Sequence, residues 1–139
     1  MNRTLNSVPL ILLVSGCMSS IPQEPYSGFL EPPEISTAVT LVGVIDKEIP
    51  LVRFESYVGF CGANSKSLSG DLPNVIYIPP GRNAICVTYI TPKISHPDYR
   101  MEITVDLQPA QTYTVSAKGV FMGYDYFVHD NSGKQVYPK

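Results

Sequence analysis

The stretch RMEITVDLQPAQTYTVSAK, residues 100–118, decides the fold class. From Arg100 to Leu107 polar and apolar residues alternate strictly, which is the pattern of a strand with one buried face. From Gln111 to Lys118 they alternate again, and the side chains assigned to the core are Tyr113, Val115 and Ala117. Because the turn residues Gln108-Pro109-Ala110 separate the two segments, we expect two strands paired as an antiparallel hairpin.

Outward from this stretch the chain consists of short β-type segments separated by turns. A first hairpin is predicted from Ala38–Ile45 and Pro50–Val58, joined at the turn Asp46-Lys47-Glu48. The sequence Pro79-Pro80-Gly81 suits a type II turn. Further strands are predicted over Asn74–Ile78, Asn83–Ile90, Tyr124–His129 and Gln135–Tyr137, the last two joined at the turn Asp130-Asn131-Ser132-Gly133. No segment has a helical period, so the pattern predicts an all-β chain: a single antiparallel β-sandwich of about seven or eight strands over residues 38–139.

The composition fits one small globular domain. The 139 residues are 44% hydrophobic and include 10 Lys+Arg against 12 Asp+Glu, for a net charge of -2. This balance leaves no basic field that would hold a phosphate backbone, so nucleic acid is not expected as a partner.

The N-terminus has the layout of a secretory signal peptide. Asn2-Arg3 provides a positive start, and the apolar run Val8–Val14 follows. Hydrophobicity stops at Gly16-Cys17, so the run is too short for a transmembrane helix, which needs about 20 apolar residues. We expect this segment to be cleaved.

The residues Val14-Ser15-Gly16-Cys17 resemble the lipobox of bacterial lipoproteins. The resemblance implies that residues 1–16 are the signal peptide and that Cys17 becomes the lipidated first residue, with palmitate among its acyl chains. Two or three acyl chains would anchor the protein stably to a membrane. Because Met18 stands where an Asp favours inner-membrane retention, the resemblance implies the outer membrane, on its periplasmic face or exposed at the surface.

Residues 17–37 are predicted to form a Pro-rich linker. Its prolines stand at positions 22, 25, 32 and 33, and it has no sustained apolar period. A polyproline-like conformation would span roughly 60 Å. An idle spacer has little use for large apolar side chains, so these are expected to dock onto the domain or onto a partner: Tyr26, Phe29 and Leu30.

The cysteines predict one disulfide. Once Cys17 is lipidated, Cys61 and Cys86 remain as the only pair, in an oxidising compartment. A bridge would close a loop of 25 residues and stabilise the fold by about 3.5 kcal/mol in the chain-entropy model. The alternative is two separate buried thiols.

The strings IYIPPGRNAICVTY and MEITVDLQPAQTYTV, within Val75–Val115, resemble small transthyretin-like, carboxypeptidase-regulatory-like and Ig-like β-sandwiches. In these a Pro-Gly turn introduces a strand, and a later strand is rich in tyrosine. Ala110 stands where glycine is more usual in the second turn. The resemblance implies a structural or protein-interaction module of the cell envelope rather than an enzyme.

Catalytic and metal-binding residues are not predicted. His96 and His129 have no second histidine at metal-ligand spacing. Ser95, His96 and Asp98 have the residue types of a hydrolase triad, but neighbours in sequence rarely reach one another's functional atoms, and no nucleophile elbow is present. We therefore expect neither an enzyme nor a bound metal or other cofactor.

Three tyrosines are the candidate interaction surface: Tyr113, Tyr124 and Tyr126. Tyr124 and Tyr126 share one strand face and Phe127 points to the other, so one of the two faces must be core. Exposed tyrosines would contact a protein or a glycan, whereas buried ones would pack in the sandwich. The expected partners are the membrane, through acyl chains on Cys17, and an envelope protein. The alternatives are a lipoprotein of a type VI-like secretion apparatus and a module that binds a small ligand or glycan.

Overall fold

The computed structural model describes residues 24–48, 54–91 and 99–139, and it confirms the all-β sandwich. The signal peptide, the lipobox with Cys17, and the trio Ser95, His96 and Asp98 lie outside these residues. The described elements are a 3₁₀ helix at Pro32–Thr37 and ten strands: β1 (Val39–Gly43), β2 (Ile45–Glu48), β3 (Phe54–Ala63), β4 (Lys66–Ser67), β5 (Val75–Ile78), β6 (Gly81–Ile90), β7 (Met101–Leu107), β8 (Thr112–Val120), β9 (Gly123–His129) and β10 (Gln135–Tyr137).

The strands form two sheets. The first sheet has the order β10-β9-β8-β1-β5, and the second has the order β2-β3-β6-β7, with β4 added beside β3. Within them the neighbouring strands are antiparallel except β1 and β8, which are parallel. Eight of the ten strands correspond to predicted segments, and β2 and β4 are the additions.

The core lies between the two sheets and consists of aliphatic side chains with a few aromatic rings. Alternation along β7 buries every second side chain, as the pattern of residues 100–107 predicts, except that Met101 remains 41% exposed at the rim. The largest fully buried side chains come from both layers: Leu41, Ile76, Ile78, Val115 and Val128 from the first sheet, and Val58, Phe60, Ile85, Val87, Ile103 and Leu107 from the second.

The predicted first hairpin is wrong, because the chain changes sheets at Gly43-Val44. Strand β1 pairs with β5 and β8, whereas residues predicted to form a turn belong to β2, which pairs with β3. The Val44 N–H donates to the Val115 carbonyl at 2.8 Å, and the Val44 carbonyl accepts from the Val58 N–H at 3.0 Å. Gly43 and Val44 cross between the two sheets, so they are as apolar as the residues of a buried strand. The hydrophobic pattern of residues 38–45 therefore does not reveal that β1 ends there.

The hairpin predicted within residues 100–118 is also wrong. Both segments are strands, but β7 pairs with β6 in the second sheet and β8 pairs with β1 and β9 in the first. Two strands that face one core from opposite sides have the same alternation as two strands in one sheet. Ala110, at the position where glycine was more usual, has φ of 56° in the connection between them, and its N–H donates to the Thr37 carbonyl at 3.1 Å.

Two predicted turns are present. Gly81 has φ of 97°, as the third position of a type II turn requires, although the flanking β5 and β6 lie in different sheets. Asp130 begins the turn between β9 and β10, and its carboxylate accepts from the N–H groups of Ser132 and Lys134 at 2.9 and 3.0 Å. The Ser132 hydroxyl also donates to this carboxylate. The hydrogen bonds from the hydroxyl and from the two N–H groups lower the pKa of Asp130, and the hydroxyl has the largest effect.

The predicted disulfide is confirmed. Cys61 and Cys86 join the adjacent strands β3 and β6, with Cα atoms 5.0 Å apart. The pairing register shifts between Phe60 and Gly62, so Cys61 is the extra residue of a β-bulge. The bridge thus fixes the second sheet at the point where its ladder is interrupted.

The described part of the predicted linker, residues 24–37, packs against the first sheet. The Tyr26 N–H donates to the Val75 carbonyl at 3.0 Å, and the Tyr26 carbonyl accepts from the Tyr77 N–H at 2.8 Å. Phe29 packs against the core, with its ring 5.0 Å from that of Tyr26. The apolar linker residues were expected to dock either onto the domain or onto a partner. Tyr26 and Phe29 dock onto the domain.

The sheet change predicts that Gly43 tolerates no side chain. A Cβ atom there would overlap the carbonyl oxygen of Val58. We expect Gly43→Ala to lower the free energy of unfolding by about 3 kcal/mol, in the range of an overpacked core. Gly119→Ala is the matched control, because its Cβ would meet nothing nearer than the Tyr124 ring at 3.9 Å. Urea unfolding measures both, and equal midpoints would contradict the constraint.

Candidate interaction site

Two of the three candidate tyrosines lie in the core. Tyr113 is buried, and its hydroxyl accepts from the Gln108 N–H at 2.9 Å. Tyr126 is buried too, and its hydroxyl donates to the Tyr99 carbonyl at 2.9 Å. Both rings belong to the hydrophobic core, because the faces of β8 and β9 that carry them are the buried faces. Tyr124, on the same face, is half-buried.

A cluster of tyrosines closes one end of the sandwich. We call Tyr89, Tyr99, Tyr124 and Tyr126 the tyrosine cluster. The rings of Tyr89 on β6 and Tyr124 on β9 have centroids 4.3 Å apart, so the contact joins the two sheets. The Tyr99 ring meets that of Tyr124 edge to face, at 5.2 Å. Edge and offset contacts of this kind stabilise aromatic pairs beyond the area they bury.

Burial raises the pKa of two members of the cluster, Tyr89 and Tyr126. The Tyr89 hydroxyl donates to an Asp46 carboxylate oxygen at 2.8 Å. Burial raises the pKa of Tyr89, and the hydrogen bond to Asp46 raises it further. Burial likewise raises the pKa of Tyr126 to about 12. Tyr89 and Tyr126 are therefore neutral at ordinary pH and contribute packing and hydrogen bonds to the cluster.

An apolar turn projects beyond the tyrosine cluster. Gly119 pairs with Tyr124 and Val120 pairs with Gly123, which leaves Phe121 and Met122 as a two-residue turn between β8 and β9. Phe121 is 96% exposed and Met122 is 87% exposed. Met122 also has φ of 71°, a left-handed conformation that non-glycine residues seldom adopt. We call Val120, Phe121 and Met122 the apolar tip.

The sequence contains a signal for the apolar tip that the alternation along the strands does not reveal. Two-residue hairpin turns favour Asn-Gly or Asp-Gly, because these residues tolerate a positive φ. Here two large apolar residues, Phe121 and Met122, stand between two strand-like segments. Large apolar side chains in a tight turn have nothing within their own hairpin to pack against, so their position alone predicts exposure.

Strand β7 is the longest edge among the described strands. It pairs with β6 along its length, and no strand of the described ranges adjoins its other side. The other edges are short or covered: β2 has four residues, β10 has three, and β5 bonds to Tyr26. The outer face of β7 exposes Glu102, Thr104 and Asp106. Such an edge presents backbone groups that can pair with another strand.

Metal-ligand side chains do not cluster in the described ranges. His129 is half-buried at the end of β9. No three His, Cys, Asp or Glu side chains among residues 24–48, 54–91 and 99–139 are grouped so as to hold a metal ion. In the same residues no helix is long and apolar enough to cross a membrane.

Comparison with known proteins finds no relative of this chain. No family model, no curated protein and no solved structure matches the chain. The candidate functional features of the described chain are therefore its own: the apolar tip and the edge of β7.

The raised pKa values predict a loss of stability at high pH. A tyrosine with a pKa of 10.0 in the unfolded chain and about 12 in the fold, as at Tyr126, holds its proton more tightly when folded. That contribution is complete below pH 10 and is lost as pH rises towards 12. We expect urea unfolding at stepped pH to show this fall, and Tyr126→Phe to show a shallower one. The same pH dependence in both proteins would contradict the assignment.

Proposed function

We propose that the protein is a lipid-anchored envelope lipoprotein that holds a partner protein through the edge strand β7. The observation that carries the proposal is the seven-residue edge of β7, beside edges that are short or covered. An extended partner segment would add to this edge as a further strand. Backbone hydrogen bonds would then supply affinity, and side chains would supply specificity.

The outer face of β7 favours a basic partner strand. Glu102 and Asp106 are exposed there, with Thr104 between them. Opposite charges on facing strand positions stabilise a pair, and like charges weaken it. Lys or Arg at alternating positions of an extended segment would face these two carboxylates. The same carboxylates oppose pairing between two copies of this edge, which suits a module that binds another protein.

The anchor is supported by the sequence Val14-Ser15-Gly16-Cys17 and by the arrangement of the chain that follows. The segment is bound to the first sheet from Tyr26 onward. Tyr26 is nine positions after Cys17, a distance of at most about 30 Å when the chain is extended. That is half of the reach expected of a free linker, so an acylated Cys17 would hold the domain close to the lipid headgroups.

The anchor predicts a lipid on Cys17. We expect the mass of the mature N-terminal peptide to include acyl chains on Cys17 and the protein to sediment with membranes. Cys17→Ser should lack the added mass, because a hydroxyl cannot form the thioether that carries the diacylglycerol. An unmodified wild-type peptide, or a Cys17→Ser protein with the same acylated mass, would contradict the anchor.

The partner site predicts crosslinking at the edge of β7. A photoreactive residue at Thr104 is expected to give a discrete protein adduct in cells, identified by mass spectrometry. Thr114 is the matched control, since it is also an exposed strand threonine but lies on β8, between two paired neighbours. Glu102→Lys with Asp106→Lys should reduce the adduct, because the partner strand is proposed to be basic.

Two results would overturn the partner site on β7. One is an equal adduct at Thr104 and Thr114, which would mean contact without preference for the edge. The other is an adduct that is unchanged by the double charge reversal, which would exclude the basic strand. The lipid measurement on Cys17 is independent of both.

A further inference from the structure

We propose that the apolar tip inserts into the surface of a lipid bilayer, the same membrane that holds the acylated Cys17. This inference rests on the proposed anchor and adds a second contact between the domain and the lipid. It would fix the orientation of the sandwich on the membrane, which a single point of attachment at Cys17 would not.

The strand directions place the incoming chain and the apolar tip at the same end of the sandwich. Tyr26 bridges Ile76 in the parallel sense, so Glu24 and Pro25 lie on the side of Tyr26 where β5 begins. Strand β5 is antiparallel to β1, and β1 is parallel to β8. Strand β8 therefore ends where β5 begins, and the apolar tip projects at the end of the sandwich towards which Glu24 and Pro25 lie.

The segment from Cys17 to Tyr26 and the segment from Tyr113 to Phe121 have similar extended lengths. Tyr26 lies level with Ile76, which pairs with Leu41, which in turn pairs with Tyr113. Phe121 is eight residues beyond Tyr113, about 27 Å along an extended strand. Cys17 is nine residues before Tyr26, about 30 Å when extended. An extended tether would therefore let a lipid on Cys17 reach about as far from the body of the domain as Phe121.

The chemistry of the tip fits a bilayer surface. Phe121 and Met122 are almost wholly exposed at the point of a narrow hairpin, a shape that penetrates between headgroups. Behind them Lys118 and Asp125, a facing pair on β8 and β9, are both exposed. Apolar residues at the tip with charged residues behind them match the gradient from acyl chains to headgroups. A bilayer can also accept two apolar side chains without a pocket of matching shape, which a protein partner would have to provide.

The test uses tryptophan as a reporter, because the chain contains none. Phe121→Trp puts one fluorophore in the apolar tip. Asn131→Trp is the matched control, exposed in the turn between β9 and β10 at the opposite end of the sandwich. The full-length gene is expressed, and the mature protein is reconstituted in phosphatidylethanolamine and phosphatidylglycerol vesicles, with and without bromine-labelled acyl chains.

We expect the emission of Phe121→Trp to shift to shorter wavelength in vesicles and to be quenched by the bromine-labelled chains. Asn131→Trp should keep the emission of an aqueous tryptophan and escape that quenching. Equal, solvent-like emission from both variants would overturn the proposal. A shifted emission without quenching by the labelled lipid would overturn it too, because the tip would then be buried in protein.

The mass of the N-terminal peptide from the same sample separates this inference from the anchor. Acylated Cys17 with an unquenched Phe121→Trp means that the anchor is correct and the tip does not insert. If Cys17 carries no lipid, the vesicles are added to the free protein, and quenching of Phe121→Trp alone supports the tip without the anchor. Equal urea midpoints for both variants and wild type show that the folds are comparable.

Discussion

The peptide groups of Val44 join the two layers of the sandwich, and the rest of the structure is arranged around that junction. Its N–H bonds to Val115 in the first sheet, and its carbonyl bonds to Val58 in the second. Both bonds require the backbones to approach closely, which is why glycine precedes at position 43. Because the two sheets are joined at Val44, the chain before it forms β1, an inner strand of the first sheet. The chain after it forms β2, an edge strand of the second sheet.

Further contacts secure the regions away from this junction. At the end opposite the tyrosine cluster the buried amide of Asn83 donates to the carbonyls of Pro79 and Gly81 and accepts from the Asn64 side chain, all within 2.9 Å. Along the second sheet the Cys61–Cys86 bridge spans the bulge. Every buried side-chain polar atom of the described chain has a hydrogen-bond partner. Among the described large apolar side chains Phe121 and Met122 stand apart at 96% and 87% exposed, since the next, Ile35, is 47% exposed.

The sequence predicts the strands well and their partners poorly. Alternation over residues 100–107 and 111–118 identifies the face of each strand that is buried, but a period of two is the same whether the strands share a sheet or oppose each other. Two of the candidate tyrosines, Tyr113 and Tyr126, are buried for a related reason: a phenol suits either environment, and the Tyr99 carbonyl that accepts from Tyr126 lies 27 residues away, where no local pattern links the two. The site features that matter, an edge and a turn, depend on which strand is left without a neighbour.

The position of β1 has a consequence for the order in which the domain forms. Thr40, near the start of the described chain, pairs with Thr112, so the first sheet lacks its central partner until the last third of the chain is available. Such long-range pairing slows folding, because a large loop must close before the contacts form. A chain that emerges from a narrow pore with its N-terminus first would consequently stay open during passage. Completion of the fold would coincide with the arrival of its C-terminal strands.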